Sequence, residues 1–233
     1  MSIAKPIVAI ALFFPAALAL GCPTEKDRPA VEAALISLPN IEASTVTVDY
    51  VSYLSPPDAP ETCFVAVSLS DQGDCHACGA TISLYDLARA GGKWAVRSQQ
   101  KNALTLGSFG KAPQPDLFDL KGPALRFDLQ GMHFGDVGET LVFVAMVDGR
   151  FAEVLNLPVH GDNSGSGEDE RWSWTATPTF LPNPGGFPEI QVISTGTDKP
   201  SDRIEPVDRK ELYRFYEGKY VLEGLDGKSP SGQ

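Results

Sequence analysis

A short pattern that occurs three times along the chain indicates its class of fold. In each copy, a glycine and a basic residue stand directly before an aromatic residue, and an apolar run precedes them. The three copies are Gly92-Lys93-Trp94, Gly149-Arg150-Phe151 and Gly218-Lys219-Tyr220. Glycine allows the positive φ of a tight hairpin turn, and the aromatic covers the sheet where the returning strand begins. The pattern therefore predicts three β-hairpins.

The residues around each turn supply the strands. We predict paired strands at Ala80–Leu87 and Trp94–Arg97, at Glu139–Met146 and Phe151–Leu155, and at Leu212–Phe215 and Tyr220–Leu222. One further strand precedes each hairpin, at Phe64–Leu69, Leu125–Leu129 and Glu189–Ser194. An earlier strand is predicted at Thr45–Tyr50, where apolar and polar residues alternate. The hairpins and their preceding strands form three units of about three strands each.

The composition supports a β fold. The 22 glycines and 19 prolines are too many for a helical bundle and suit a protein rich in turns. One helix is predicted near the N-terminus, beginning near Arg28 and ending before Pro39, because apolar residues recur there at helical spacing. The predicted fold is mainly β: antiparallel sheets built from repeated hairpins, as a sandwich, a rolled sheet or a propeller-like body, with one short N-terminal helix.

The hairpins resemble two groups of known proteins. The repeated hairpin pattern resembles FG-GAP and VCBS-type β-propeller repeats, and the stretches Gly186–Val192 and Tyr213–Tyr220 are similar to hairpins of uncharacterised exported bacterial β-repeat proteins. The resemblance covers hairpins and not the whole chain, and the calcium loop of those propellers is absent. Three units are also fewer than the four to eight blades of a usual propeller. The resemblance implies an exported β-repeat protein.

The first 21 residues have the form of an export signal. Lys5 is followed by an apolar run of roughly 14 residues, Ile7–Leu20, which is shorter than the roughly 20 residues of a membrane-spanning helix. Two processing sites compete: ordinary cleavage before Leu20, and a bacterial lipobox that ends at Cys22. Because a cysteine directly after an apolar run is uncommon, we favour a lipoprotein that is anchored to the membrane through a lipid on Cys22.

The remaining chain is predicted to hold one folded domain. A tether and the short helix occupy residues 22–43, a single β domain residues 44–225, and a disordered tail residues 226–233. Basic residues number 19 and acidic residues 30, so the formal net charge is −11. This charge argues against a nucleic-acid partner, because binding to phosphates needs a basic face.

The four cysteines allow several arrangements. Apart from Cys22 they are Cys63, Cys75 and Cys78, and the last two belong to the element Cys75-His76-Ala77-Cys78. A structural disulfide from Cys63 to Cys75 or Cys78 is the favoured interpretation. A redox centre lacks the helix that would stabilise its thiolate, and a zinc or copper site that included His76 would lack a second close pair of ligands.

An acidic loop and two tryptophans are the other candidate sites. Oxygen ligands in a glycine-containing loop suit Ca²⁺, so calcium is a candidate cofactor. The candidate ligands are Asp162, Asn163, Glu168, Asp169 and Glu170. A solvated linker is the favoured interpretation of this loop. Trp172 and Trp174 lie on one face of a predicted strand, where core packing is favoured over stacking on a ligand. His133 and His76 precede strands and are interpreted as turn residues.

The sequence favours a non-catalytic role. The segments that contain Gly-Ser-Gly lack the strand–turn–helix context of a hydrolase nucleophile, and the chain has no phosphate loop or dinucleotide fingerprint. The predicted function is a binding or structural module of the periplasm or cell envelope, with an envelope protein or a glycan as the class of ligand. The alternative is a periplasmic thiol–disulfide or metal-dependent enzyme centred on Cys75 and Cys78.

Overall fold

A computed structural model describes residues 22–36, 46–56, 61–71, 79–108, 111–133, 136–167, 170–184, 186–200 and 203–223. These residues form one helix, α1 (Arg28–Ile36), and twelve strands. The strands are β1 (Val46–Leu54), β2 (Thr62–Asp71), β3 (Ala80–Ala90), β4 (Lys93–Leu106), β5 (Asp116–Asp119), β6 (Pro123–His133), β7 (Asp136–Val147), β8 (Arg150–Asp162), β9 (Ser173–Leu181), β10 (Glu189–Asp198), β11 (Glu205–Tyr216) and β12 (Lys219–Leu222). Within the described residues, no helix has both the length and the apolar character that crossing a bilayer requires.

The strands form two antiparallel sheets in which sequence neighbours pair throughout. The order is β1-β2-β3-β4 in one sheet and β12-β11-β10-β9-β8-β7-β6-β5 in the other. The larger sheet is weakest between β8 and β9, where only His160–Asp162 pairs with Ser173–Thr175. The next pairing, between β9 and β10, spans nine residue pairs. The chain therefore consists of three four-stranded units, which we call unit 1 (β1–β4), unit 2 (β5–β8) and unit 3 (β9–β12).

The prediction of a mainly β, sandwich-like fold with one short helix is confirmed. All three predicted hairpins form, and each lies within one unit, as β3–β4, β7–β8 and β11–β12. The number of strands per unit was underestimated, because each unit has four. In unit 2 the missed strand is β5, whose four residues, Asp116–Asp119, are too short to show alternation. The predicted signal segment 1–21 and tail 226–233 lie outside the described residues.

Apolar clusters separate the layers of the molecule. β2 is buried on both of its faces: Cys63, Val65 and Val67 face α1, whereas Phe64 and Ala66 face unit 2. A third cluster lies between units 2 and 3 and includes Phe143 and Ile190, among others. Each sheet face thus buries the alternate residues of its strands. The layers follow one another in chain order, as α1, unit 1, unit 2 and unit 3.

The three hairpins share one turn geometry. Each loop has two residues, and both have positive φ: Gly91-Gly92 at 58° and 79°, Asp148-Gly149 at 50° and 77°, and Glu217-Gly218 at 48° and 88°. Two consecutive residues with positive φ define the type I′ turn, whose twist matches that of the flanking strands. The glycine stands second in every case, where φ is largest. The repeated sequence pattern therefore encodes a repeated turn.

The aromatic after each turn packs toward the preceding layer. Trp94 packs in the cluster beneath α1, Phe151 in the cluster between units 1 and 2, and Tyr220 in the cluster between units 2 and 3. Phe151 meets Phe64 of unit 1 edge-to-face, with ring centroids 5.5 Å apart. The three aromatics thus occupy equivalent positions in successive interfaces, and each joins its unit to the layer before it.

Tyr220 buries a hydroxyl group for which no partner is found among the described residues. Its burial raises the pKa of the phenol. We expect Tyr220→Phe to leave the free energy of unfolding unchanged or to increase it, because the variant removes a polar atom that gains no hydrogen bond. Tyr53→Phe is the matched control, since the Tyr53 hydroxyl donates to Glu32 Oε1 at 3.1 Å. Its loss should cost about 0.5–1.5 kcal/mol. Urea denaturation measures the free energy of unfolding of both variants. Equal losses would mean that the Tyr220 hydroxyl does gain a hydrogen bond in the folded state.

Candidate functional site

A disulfide joins Cys22, which precedes α1, to Cys63 of β2. The two Cα atoms are 5.0 Å apart and are separated by 41 residues in the sequence. Cys63 is fully buried and faces α1, because it lies on the same face of β2 as Val65 and Val67. The bridge therefore fastens the segment before the helix to the outer face of unit 1.

The bridge corrects the predicted pairing of Cys63 and bears on the predicted lipidation of Cys22, which stays a prediction. Cys63 does not pair with Cys75 or Cys78, because its side chain points toward α1 and meets the chain that leads into that helix. A lipid on Cys22 would occupy the sulfur atom that forms this bridge, so lipidation at Cys22 is incompatible with the disulfide-bonded form. Cys75, His76 and Cys78 lie outside the described residues.

A groove of about 450 Å³ lies between α1 and the start of β4. Its apolar lining comes from both elements and from β3, and three charged residues complete the lining. The apolar residues are Ala30, Val31, Leu35, Leu87, Trp94, Ala95 and Val96, and the charged residues are Lys26, Asp27 and Lys93. Two other concavities of similar volume lie at strand ends and in the proline-rich loop after β9. The groove differs from them in having a helix as one wall and a strand at the edge of a sheet as the other.

The position of α1 explains why the groove stays open. Arg28 lies over the Tyr53 ring, 4.8 Å from its centroid, and Tyr53 donates a hydrogen bond to Glu32. These contacts hold the helix above β1, and burial together with the Glu32 carboxylate raises the pKa of Tyr53. The helix-side face of β4 is therefore incompletely covered. Val96, which pairs with Leu87 of β3, remains 42% exposed.

β4 forms the edge of unit 1 beside this groove. Among the described residues it pairs with β3 alone, over 14 residues. It carries Lys93, Arg97 and Lys101 and no acidic residue. Arg97 lies at an irregularity in the β3–β4 pairing and donates through Nε and Nη2 to Asp86 at 2.7 and 2.6 Å. The Asp86 side chain is only 2% exposed, so this ion pair fastens the exposed strand to the interior.

The acidic loop is organised by Asn163 and not by free carboxylates. Asn163 is buried, its Nδ2 donates to the Glu170 carbonyl at 2.7 Å, and its Oδ1 accepts from the Trp172 N–H at 3.0 Å. Nη1 of Arg171 donates to the carbonyls of Asn163 and Ser164 at 2.8 and 3.1 Å. A guanidinium thus binds carbonyl oxygens that a cation would use.

Asp162 also has protein partners for both of its oxygens. Its Oδ1 accepts from the Ser164 N–H at 2.7 Å, and its Oδ2 lies 2.7 Å from His160 Nε2. His160 Nδ1 lies 2.9 Å from the Trp174 carbonyl, so both ring nitrogens of His160 face acceptor oxygens. The described residues contain no group of three or more His, Cys, Asp or Glu side chains suited to a metal ion. Glu168 and Asp169 lie outside the described residues.

The tryptophan pair is used mainly in packing. Trp174 packs against the cluster between units 2 and 3, and its indole lies over Gly161 of β8. A Cβ at position 161 would stand 2.7 Å from Trp174 Nε1, so a larger residue there would displace the ring. Trp172 is half-buried beside the acidic loop. The side chain of His133 lies outside the described residues.

Comparison of the chain with models of protein families, with curated proteins and with solved structures finds no significant match. The candidate site therefore depends on geometry alone. Sequence reasoning missed the groove because its two walls are more than fifty residues apart in the chain. One local signal was present, since the strand after the first hairpin turn carries three basic residues and no acid.

We expect replacement of Cys22 and Cys63 by alanine to lower the free energy of unfolding by about 2–4 kcal/mol, because the bridge closes a loop of 41 residues in the unfolded chain. A variant with Cys75→Ser and Cys78→Ser is the control and should keep the Cys22–Cys63 bridge. Non-reducing peptide mapping identifies the disulfide pairing, and urea denaturation measures the free energy of unfolding. A Cys63 peptide linked to Cys75 or Cys78, or a lipid on Cys22 of the native protein, would contradict the pairing.

The acidic loop predicts a pH dependence. Hydrogen bonds from Ser164, and then from His160, lower the pKa of Asp162 to about 2, from an ordinary value of about 3.9. A carboxylate with a lower pKa in the folded state stabilises the fold above about pH 4, and this contribution is lost as the pH falls toward about 2. NMR titration of the Asp162 carboxyl carbon should show the low midpoint, and Ser164→Ala should raise it. A titration midpoint of wild-type Asp162 near the ordinary aspartate pKa would contradict the hydrogen bonds to its carboxylate.

Proposed function

We propose that the protein is an exported, non-catalytic binding module whose ligand binds in the groove between α1 and β4. The observation that carries this proposal is the groove itself, with its apolar walls and a volume of about 450 Å³. Ligand sites are commonly concave, mostly apolar and supplied with a few polar groups that fix orientation. Here Lys26, Asp27 and Lys93 belong to the lining of the groove and can supply such groups.

Export is supported by the sequence of residues 1–21 and by the Cys22–Cys63 bridge. Disulfides persist in oxidising compartments such as the bacterial periplasm, and a charged residue followed by a short apolar run is typical of a signal peptide. Because the bridge uses the sulfur of Cys22, we favour cleavage before Leu20 over the lipobox. The module would then be located in the periplasm or cell envelope without a lipid on Cys22.

A binding role is favoured over catalysis by the arrangement of the groove's ionisable groups. The three charged residues are exposed to solvent, while the other side chains that line the groove are aliphatic, apart from Trp94. Walls of this kind desolvate the apolar part of a ligand, and an envelope protein offers suitable apolar segments. The rival role as a thiol–disulfide enzyme requires Cys75 and Cys78, and a variant that lacks both separates the two roles.

We expect a fluorescent apolar probe, anilinonaphthalene sulfonate, to bind the folded protein at one saturable site. Val96→Asp should weaken this binding at least about tenfold, because an unpaired carboxylate in an apolar groove costs more than about 1.4 kcal/mol. Ile193→Asp is the matched control, since Ile193 is 44% exposed on unit 3 and Val96 is 42% exposed. Fluorescence titration measures the affinity of each variant.

Two further results complete this test. Cys75→Ser with Cys78→Ser should leave probe binding unchanged if the groove is the site. Equal losses for Val96→Asp and Ile193→Asp, or binding without saturation, would contradict the groove as the ligand site. Circular dichroism of each variant checks that the fold is retained.

A further inference from the structure

We infer that the groove binds an extended, acidic peptide segment, which adds to the free edge of β4 as a fifth strand of unit 1. This inference rests on the proposed binding function and names the ligand of the same groove. It combines three features of the structure: a long strand at a sheet edge, an apolar groove beside that strand, and an excess of positive charge along it.

The first feature is the length and position of β4. Of the strands at sheet edges, β5 and β12 have four residues each, which is too short for a partner to pair with firmly. β4 has 14 residues and, in the part of the chain that the structure describes, pairs on one side only, with irregularities at Arg97 and at 101–103. Between these irregularities the other side presents backbone N–H and C=O groups, which is the template that strand addition uses.

The second feature is the groove, which gives an added strand a place for its side chains. Trp94 and Val96 lie on the helix-side face of β4, opposite Arg89 and Leu87 of β3. A strand paired with the outer edge of β4 would place alternate side chains on this same face, next to Val96. Those side chains would lie against the open side of the groove, while the backbone forms hydrogen bonds to β4. Apolar residues at alternate positions of the ligand therefore fit the site.

The third feature is charge. β4 carries Lys93, Arg97 and Lys101 without an acidic residue, in a chain whose net charge is −11. Because Arg97 is held by the Asp86 carboxylate, the positive charge offered to a ligand is that of Lys93, which lines the groove together with Lys26. β1, at the other edge of unit 1, carries Asp49 and no basic residue. Two lysines beside the groove of an acidic protein attract an acidic partner and speed its association.

The same charges argue against a second copy of the chain as the partner. The three basic residues are spaced by four and are symmetric about Arg97. Antiparallel pairing of two β4 strands centred on Arg97 would bring Lys93 of each copy toward Lys101 of the other and would place the irregularity at Arg97 in the middle of the pairing. Like charges directly opposite one another destabilise a strand pair. The edge is thus protected against self-association and remains available to an acidic segment.

The test uses the full disulfide-bonded protein and a synthetic peptide of about eight residues that alternates valine with glutamate. We expect saturable binding that weakens as salt is added, together with slower hydrogen exchange at the amides of β4. Two N-methylated versions of the peptide, methylated on opposite alternate residues, distinguish strand addition from other modes. Only one set of amides can face β4, so one version should lose binding and the other should retain it.

Charge variants complete the design. Lys26→Glu combined with Lys93→Glu, the two lysines that line the groove, should weaken peptide binding about tenfold, since each reversal replaces an attraction by a repulsion. Lys210→Glu, an exposed lysine of β11 in unit 3, is the control and should change the affinity little. Because anilinonaphthalene sulfonate is itself an anion, each variant is titrated with a neutral apolar probe, Nile red, so that loss of the groove is separated from loss of the charge.

The outcomes separate this inference from the proposed function. If the probe binds the groove and the peptide does not bind, the peptide assignment is wrong and the binding module stands. If the peptide binds and both N-methylated versions bind equally, strand addition is overturned. A basic peptide that binds as tightly as the acidic one overturns the role of charge, and dimers of the wild-type protein would make a second copy the occupant. If neither probe nor peptide binds, the proposed function itself fails.

Discussion

The geometry of three two-residue turns determines how the layers of this molecule meet. Positive φ at two consecutive residues fixes each hairpin in one register, and a register shift of one residue would turn every side chain to the opposite face. In the observed register, Phe151 and Tyr220 face the layer before their own unit. Because Gly149 and Gly218 set the conformation of these turns, two glycines control the packing of large aromatic side chains across two interfaces.

The two ends of the stack are closed in different ways. Trp94 occupies the position that Phe151 and Tyr220 have in later units, yet it faces a helix instead of a preceding sheet. A helix of nine residues covers less area than a sheet, and the Cys22–Cys63 bridge fastens the chain that leads into it. At the other end, alternate residues of β9 are exposed threonines. A polar outer face closes a stack of repeated units without a further layer.

The parts of this structure that the sequence predicted are local. Turn chemistry and alternation within ten residues placed the hairpins and the helix, whereas β5 was too short to show a period. The pairing of Cys63 could not be predicted, because it depends on which face of β2 meets α1. The acidic loop became a candidate calcium site because its own residues do not include Arg171, which lies just beyond it and donates to its carbonyls. The groove is likewise a contact between distant segments.

Strand β4 is an exposed edge strand, and yet its register is fixed by the ion pair between Arg97 and Asp86. A long exposed edge is prone to slip or to pair wrongly. Asp86 is nearly buried, and Arg97 reaches it from an irregularity in the strand. A slip of β4 by one residue would turn Arg97 away and leave a buried carboxylate unpaired, which is strongly destabilising. The Arg97–Asp86 ion pair therefore fixes the register of β4 more than it adds to the net stability of the fold. Because the register is fixed, Val96 faces the groove. An exposed edge that would otherwise pair in several ways then offers a partner strand one defined geometry.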